Sequence, residues 1–468
     1  MPRALLFNPP SGNYIRDDRC QVPADAISSS LRAPMDLLYC ATILENRGYR
    51  CRLVDYPGAG RGLEEYLRDL REFAPDLVLA SVTTPTLPED MRCLEAAKRL
   101  RPGALTIAKG AHFIVRDDEA MARYPQLDVA VRNELEKAVD EIAAGLPRAE
   151  IAGITWRDGG SVRRNPDRPQ IRDLDWLPLP NRRLLDNSLY VRPDTNEKQA
   201  TIVTSRGCPK SCTFCLVKVV TGRPIGRRSP RSIAAEIESC VRDFNITNFY
   251  FRADTFTWYH EWVSEICDLI LARGLRVNWV SNSRADTLTD ELLAKMRAAG
   301  CWMLGLGIES GSEEILRRIK KGITKDDARR AAELCRRNGI KTYNFFILGF
   351  PWDDERTVAE TVDFAIELNS DFVEFHTAYP FPGTELDETA KNLGLFEAAD
   401  IHGSDVMTSP MRTLHLSSER VGELRRQAIR RYYLRPSYVS RTLSGIRSPR
   451  VLANYVRKGI ALLRSLSH

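Results

Sequence analysis

Apolar positions in the first 150 residues fall into short unbroken runs separated by longer amphipathic stretches. "RALLFNPP", "RCRLVDY", "DLVLASV", "LTIAKG" and "LDVAVRNE" read as strands buried on both faces. "PMDLLYCATILENRG", "LEEYLRDLREF" and "LPEDMRCLEAAKRL" carry the 3.6-residue period of helices between them. This alternation predicts a doubly wound α/β domain over 1–150, a fold that takes ligands beyond the carboxyl ends of its strands. "GITWRDGGSVRRNP" predicts a hairpin turning at Asp158-Gly159-Gly160, and the proline-rich "DWLPLPNRRLLDN" reads as a linker, so 151–195 is expected to connect two domains. The rhythm then restarts over 196–385. Six strand candidates ("QATIVTS", "NFYFRAD", "RVNWVSNS", "WMLGLGIES", "KTYNFFILGF", "DFVEFHTAYP") alternate with helical patterns such as "SIAAEIESCVRDF" and "TVAETVDFAIEL". Repeated βα units predict a closed or partial (β/α)6 barrel of the TIM type, with its chemistry at the strands' carboxyl ends. Over 386–468 strand signals fade, and "SSERVGELRRQAIRRYYL" and "RVLANYVRKGIALLRSL" read as helices.

Composition changes this picture in two places. The chain has 468 residues, 43% hydrophobic and 28% charged, which suits a globular protein with more than one core. No run reaches the length of a membrane span, and "MPRALLFNPP" holds too short an apolar run for a signal peptide, so a cytoplasmic location is expected. In a reducing compartment the eleven cysteines point to thiols or metal ligands rather than disulfides. Cys20, Cys40, Cys51, Cys93, Cys240, Cys267, Cys301 and Cys335 are scattered and read as small buried hydrophobes. The second place is charge. Residues 424–468 hold eleven Lys and Arg and no acid, against a net charge of +6 for the whole chain. Leu452, Val456, Ile460 and Leu463 share one helical face there, with Arg457, Lys458 and Arg464 around it. Such a helix can lie on an anionic membrane surface, which makes a lipid or other hydrophobic substrate fitting, or can pack on the barrel with its arginines in solvent. Nucleic acid is not expected as a partner, because only Tyr432, Tyr433 and Tyr455 interleave the basic residues.

The chemistry is concentrated just after the first barrel strand. "TSRGCPKSCTFC" places Cys208, Cys212 and Cys215 at C-x3-C-x2-C spacing. A ferredoxin-type run would add a fourth cysteine before a proline, and "LVKVVTGRPIG" supplies none. A structural zinc site would close its tetrahedron with a second Cys or His pair, which the six histidines do not provide nearby. Three thiolates on a four-iron cubane leave one iron open, an arrangement suited to catalysis. No serine-histidine-acid arrangement, Walker loop or zinc-protease motif is present.

"CPKSCTFC" resembles the signature of the radical S-adenosylmethionine superfamily. The resemblance implies a [4Fe-4S] cluster on Cys208, Cys212 and Cys215, S-adenosylmethionine on the open iron, Phe214 against adenine, and an external electron donor. "GLGIESGSEEIL" resembles the fourth-strand segment, which would put Glu309, with Ser310 and Gly311 in its turn, at the methionine or ribose end; an ordinary helix N-terminus is the alternative. "FILGFPWD" resembles the fifth-strand segment that lets backbone approach adenine, implicating Ile347 and Gly349. Where common members carry Gly-Gly-Glu, this chain has "FRADTFTW", with Asp254 at the barrel mouth as a cofactor-binding or catalytic residue and Ala253 where a second aspartate is frequent. That version, and Arg284 in "SNSRAD", is similar to the subgroup with an N-terminal cobalamin-binding domain. Arg284 would pair with a carboxylate of cofactor or substrate, or else sit exposed at a strand end. "FHTAYPFPGTEL" resembles a barrel-mouth segment, making His376 and Tyr379 substrate-side candidates, Tyr379 as a donor of a proton or hydrogen atom and packing as the alternative.

The first domain resembles the cobalamin-binding domain of that subgroup, which includes anaerobic tetrapyrrole cyclase-like and hopanoid methylase-like proteins. The resemblance implies that Ser81, Thr83, Gly110 and His112 line the strand ends where the corrin sits. The Asp-x-His-x-x-Gly motif that ligates cobalt is absent, and His112 is the only candidate substitute, a structural role being its alternative. The subgroup's Gly-Glu-Gly-Glu is here Asn133-Glu134-Leu135-Glu136, and its Gly-Gly is Lys109-Gly110. Side chains in place of glycine are expected to narrow the pocket, so a domain that kept the fold without cobalamin is a second reading. The implied reaction is C-methylation of an unactivated carbon in a small, hydrophobic or lipid-like molecule. The alternatives are radical oxidation, cyclisation or carbon–carbon coupling, and a non-catalytic iron–sulfur sensor or electron carrier.

Overall fold

The structure, a computed structural model, describes residues 1–11, 14–16, 21–23, 31–397, 410–446, 448, 449, 451–456 and 459. Cys20 and the tail residues Arg457, Lys458, Ile460, Leu463 and Arg464 lie outside them. The first domain is built on a seven-stranded sheet. Its five parallel strands run Arg50–Asp55, Arg3–Asn8, Leu77–Ser81, Leu105–Lys109 and Val129–Val131 in spatial order. Their apolar runs are continuous because both faces are covered. Leu5, Phe7, Val78 and Ala80 join helices Leu63–Phe73 and Leu87–Leu100, while Ala4, Leu6, Leu77 and Leu79 join Met35–Asn46 and Leu135–Ala143. The strand order reverses between Arg3–Asn8 and Leu77–Ser81, and a ligand crevice is expected at their carboxyl ends, Asn8 and Ser81.

The expected hairpin forms, as Ile154–Asp158 and Ser161–Arg164, yet it does not belong to a linker. Ile154–Asp158 pairs antiparallel with Val129–Val131 and completes the first sheet, covering an edge strand only three residues long. The proline-rich stretch is likewise not a loose connection. Leu174, Leu177, Leu185 and Tyr190 are buried with Met35, Leu38 and Tyr39 of the first domain and Val203 of the barrel, forming a strap that joins the two.

The barrel has six parallel strands in chain order: Gln199–Val203, Asn248–Arg252, Asn278–Ser283, Cys301–Glu309, Lys341–Leu348 and Phe372–Thr377. The first and last are not paired, so the barrel is open. Pleating divides each strand between two environments. Phe249, Phe251, Trp279, Leu304, Leu306, Ile308, Phe346, Leu348 and Phe375 enter the core beneath the helices. The alternate residues, among them Tyr250, Arg252, Asn282, Gly305, Tyr343, Phe345, Glu374 and His376, therefore face the interior. A Cβ on Gly305 would stand 2.4 Å from Asn282 Oδ1 and 3.0 Å from the Phe345 ring, which confirms that these positions share the inner face.

The C-terminal helices Ser418–Tyr433 and Pro436–Gly445 close the far edge. The Tyr432 hydroxyl donates to Ser370 O (2.6 Å), and Tyr433 bonds both backbone groups of Val373. Part of the basic excess is consumed here. Arg425 donates to Phe375 O (2.6 Å), Arg435 to Ile366 O (3.2 Å) and Arg441 to Asn369 O and Ser370 O (both 2.7 Å), the last three residues lying at the end of helix Glu355–Leu368 where carbonyls lack helical partners. Leu452 and Val456, expected on the apolar helix face, are exposed.

Strap, cluster loop and barrel meet at one buried carboxylate. Glu236 accepts from Arg182 of the strap (2.6 Å) and from Arg228 beyond the cysteine loop, and all three side chains are at most 2% exposed. Burial opposes ionisation of Glu236, but the two guanidinium groups outweigh it and hold the carboxyl below its ordinary range. Glu236→Ala would leave two buried cations unpaired, and a loss of about 3–5 kcal/mol in denaturant unfolding is expected; an unchanged midpoint would contradict this role.

Candidate active site

Cys208, Cys212 and Cys215 lie on a loop without regular structure that is nevertheless pinned along its length. The Gly207 amide donates to Asp254 Oδ2 (2.7 Å), and the Thr221 hydroxyl reaches the same oxygen (3.2 Å). Cys208 N donates to Gly222 O, and Thr213 uses both backbone groups, on Ile319 O (3.0 Å) and Leu386 N (2.9 Å). Gly207 adopts φ +99°, and a Cβ there would stand 2.1 Å from Pro224 O, so only glycine passes this turn. Among the described residues no three His, Cys, Asp or Glu side chains converge on a single-ion site. Burial pushes the Cys212 thiol up, while Lys321 and Arg284 act to lower it, and such cations suit an anionic thiolate cluster.

Glu309 ends the fourth strand with φ +73°, a left-handed conformation costly for a non-glycine residue, just past a break in register between Gly307 and Glu309. Its carboxylate is buried and accepts from Lys321 Nζ at 2.7 Å. A Cβ at Gly307 would lie 2.5 Å from Glu309 Oε1 and 2.9 Å from Lys321 Nζ, so the small residue makes room for the pair. Lys321 was not apparent from sequence, because its partner is twelve residues away across the short helix Glu313–Arg318. Arg284 is buried rather than exposed at a strand end. Its guanidinium is bidentate on Asp286 (2.8 and 3.0 Å) and reaches Lys321 O, and Asp286 in turn lies 3.4 Å from Lys210 within the cysteine loop. The Ser310 hydroxyl contacts Thr361 and accepts from the Ser312 amide, and the helix Glu313–Arg318 that follows starts at Ser312 without a side-chain cap.

Phe214 packs against Phe350 (5.5 Å between centroids), and Ile347 lies at the inner face beside it in the fifth strand. Gly349 has φ +86°, and a Cβ there would stand 2.7 Å from Val421 of helix Ser418–Tyr433, so this turn requires glycine. Asp353, fully buried, accepts from the Gly349 and Phe350 amides (both 2.9 Å) and from Thr357 (2.7 Å). Tyr379 is buried against Phe381 (4.5 Å), whereas His376 is half-buried on the inner wall, stacked on Phe345 (6.2 Å) with Glu374 at 3.9 Å. Tyr343 donates to Glu374 and packs on Phe345 (4.6 Å), extending the wall. Tyr343, Phe345 and Glu374 went unnoticed in the sequence; the period-two alternation of "KTYNFFILGF" and "DFVEFHTAYP" was the signal that marks them.

At the first domain's switch point a narrow cleft opens against the barrel. Asn8, Ser81, Lys109 and Asp36 line one side, and Thr201 and Arg252 of the barrel line the other. Lys109 pairs with Asp36. Thr83 turns to Thr86 (2.8 Å) and, through its amide, to Asp90; Gly110 packs under Val82 O; and His112 opens a helix against Phe113. All three are outside this lining. Of the side chains expected to narrow the pocket, Lys109 lines the cleft, whereas Asn133 bonds Arg168 O (2.8 Å) and Leu135 joins the core. The lining is polar, as the amides around a corrin require, although Lys109 is paired with Asp36 and Asn8 with Asp55, and it offers cobalt no imidazole.

The profile of the radical SAM superfamily matches residues 202–365, and that of the B12 binding domain matches 31–143. The chain is 28% identical over 438 residues to an uncharacterized methyltransferase of Pyrococcus horikoshii, covering 93% of each. It is 29% identical over 334 residues to the anaerobic magnesium-protoporphyrin IX monomethyl ester cyclase of Rubrivivax gelatinosus, covering 69% of this chain and 60% of that one. A radical S-adenosylmethionine methyltransferase, TsrM, from Kitasatospora setae, solved with cobalamin and a [4Fe-4S] cluster bound, superposes with a TM-score of 0.67 at 21% identity, over 85% of this chain and 76% of that chain. At that identity the likeness bears on the fold.

Two outcomes are expected. Substituting Cys208, Cys212 or Cys215 by Ala should reduce bound iron after anaerobic reconstitution from about four per chain to a small fraction, whereas Cys240→Ala, buried in the core, should keep it. Burial raises the Asp353 carboxyl from 3.8 to about 6, against the opposing hydrogen bonds of Thr357, Phe350 and Gly349. A raised folded-state pKa stabilises most at low pH, so the stability Asp353 contributes is lost as pH rises through about 6. The unfolding free energy of Asp353→Asn relative to the parent should therefore increase between pH 4 and pH 7, and a constant difference would contradict the shift.

Proposed function

Starting from a chain that belongs to the radical S-adenosylmethionine enzymes with an N-terminal B12-binding domain, we propose that it transfers a methyl group to an unactivated carbon of a hydrophobic small molecule. Its cofactors are a [4Fe-4S] cluster, S-adenosylmethionine and cobalamin; it acts on a small molecule and draws electrons from a donor. These groups supply hydrogen-atom abstraction from the substrate and a transferable methyl. The observation that carries the proposal is the shared cleft. Strand ends of the first domain (Asn8, Ser81, Lys109) and inner-face residues of the barrel (Thr201, Arg252) line the same cleft, so a methyl donor held by the first domain would face the barrel.

The chain's own residues have distinct tasks in this reading. Three thiols occupy three corners of the cluster and leave one iron open to S-adenosylmethionine. Asp254 holds the Gly207 amide and thereby the loop, a positioning task rather than direct chemistry. Glu309 and Lys321 present opposite charges suited to the ammonium and carboxylate of the methionine moiety, with Arg284 fixed behind them. Phe214 and Ile347 offer apolar contact to adenine. Ser81 lies on the cobalamin side. Tyr343, Phe345 and His376 form a ring-lined wall with Glu374 among them, which favours a substrate having a broad apolar or conjugated face and one polar group. Tyr379, buried against Phe381, follows the last barrel strand and serves in packing.

Among the described residues no helix is long and apolar enough to cross a membrane. A cytoplasmic enzyme touching the membrane surface through 424–468 agrees with the exposed Leu443, Leu452 and Val456 and with the arginines not spent on strand and helix ends. A second reading, oxidative cyclisation, is favoured by the relative named as a cyclase.

The test is anaerobic incubation with S-adenosylmethionine bearing a deuterated methyl, a low-potential reductant and a metabolite extract. Methylation predicts label in a product recovered from the lipid phase, with 5′-deoxyadenosine and S-adenosylhomocysteine in equal amounts. Label confined to the aqueous phase would contradict the hydrophobic substrate. Deoxyadenosine with neither label nor S-adenosylhomocysteine would overturn methyl transfer in favour of cyclisation.

A further inference from the structure

The acidic segment Asn133-Glu134-Leu135-Glu136 has no task in the reading above, and its two carboxylates leave the first domain in a telling way. Glu136 stands in the first turn of helix Leu135–Ala143, where the helix dipole favours an anion, and is 2% exposed. Its carboxylate reaches out of its own domain. Both of its oxygens receive the guanidinium of Arg206, the longer bond being 3.1 Å. Arg206 lies immediately before Gly207-Cys208, at the entry to the cysteine loop. Glu134, held at φ +48°, accepts from the Ile171 amide of the strap (3.1 Å).

The strap segment that Glu134 holds is itself fastened to the loop. Gln170 donates to Pro224 O (2.8 Å), Arg227 N to Arg172 O (2.8 Å) and Leu174 N to Arg227 O (3.0 Å). Arg206 pairs with Gly226 in the short antiparallel ribbon that closes the loop, and a Cβ on Gly226 would meet Ile171 O at 2.8 Å. One carboxylate thus grips the loop directly and the other grips it through the strap. On the opposite side, helix Leu135–Ala143 shares a core with helix Met35–Asn46, through Leu135, Ala138 and Val139 against Leu37, Cys40 and Ala41, and Asp36 of that second helix lines the cleft. Packed elements thus run from the cleft to Arg206, two residues before the first cysteine.

We propose that Glu136 and Arg206 are positioning residues that fasten the cysteine loop to the cobalamin-binding domain, so that cobalamin in the cleft alters the environment of the cluster. The pair's bidentate geometry fixes direction as well as distance, which a lone charge would not. The inference rests on the cofactor assignment of the proposed function.

The experiment uses the full chain, reconstituted anaerobically with iron and sulfide, with and without hydroxocobalamin. Reduction by titanium(III) citrate leaves cobalt diamagnetic, and the electron paramagnetic resonance spectrum of the reduced cluster is recorded. In the parent, cobalamin should shift the cluster signal. In the neutral pair Glu136→Gln with Arg206→Gln, which leaves no unpaired buried charge, iron and cobalt should bind as in the parent and the shift should vanish. Arg206→Lys keeps the charge but loses the fork, and should reduce the shift at least about twofold; it decides the question if the neutral pair loses iron. A full shift in either variant, or a parent that binds both groups with no shift, would overturn the inference alone. A parent that binds no cluster or no cobalamin would overturn the cofactor assignment and the inference with it.

Discussion

Three thiols must be held still on a stretch of chain that has no ladder of its own, and the surroundings are organised around that constraint. A free loop of this length would lose its ordering entropy on every encounter with a cofactor. Here that ordering is complete beforehand. Asp254 takes the amide before the first cysteine, Ile319 and Leu386 take both backbone groups of Thr213, and Glu136 takes the guanidinium at the loop's entry. Glu236, gathering Arg182 and Arg228, locks the strap and the far end of the loop to the barrel helix Pro230–Phe244.

The alternation of each barrel strand gives core and chamber at once. Aromatic and branched residues at one parity fill the layer beneath the helices, and residues of the other parity leave a polar, ring-lined interior. An interior with Arg252, Asn282, Glu374 and His376 is a poor filler for a closed core and a good lining for a ligand. The strained Glu309 fits the same division. Its left-handed backbone turns the carboxylate to Lys321 at the chamber's mouth, and the buried ion pair offsets part of the cost of that conformation.

The strands, the two domains and the three cysteines were legible in the sequence because each depends on local spacing: period two, period 3.6, or C-x3-C-x2-C. What escaped depends on distant partners. Nothing in "GITWRDGGSVRRNP" says that it pairs with Val129–Val131, because an antiparallel edge strand looks the same whichever sheet it joins. The strap read as a linker because its leucines are interrupted by prolines, yet those leucines are buried by residues over a hundred positions away. Lys321, Lys109 and Arg206 look like surface cations until their carboxylates are in place. Arg284 and His112 carried the right chemistry in the wrong surroundings, one already bidentate on Asp286 and the other outside the cleft. The arginines of the tail had both readings open, and several prove to be caps on carbonyls.

The central claim is that one chamber is shared by a cofactor at the first domain's switch point and the cluster-bearing barrel. An anaerobic crystal structure of the protein reconstituted with iron, sulfide, cobalamin and S-adenosylmethionine tests it most directly. The account predicts cobalamin in the cleft between Ser81 and Arg252, its upper face open to the barrel interior, and a cluster on Cys208, Cys212 and Cys215. Cobalamin bound elsewhere, or a cleft closed off from the barrel with the cluster in place, would contradict it.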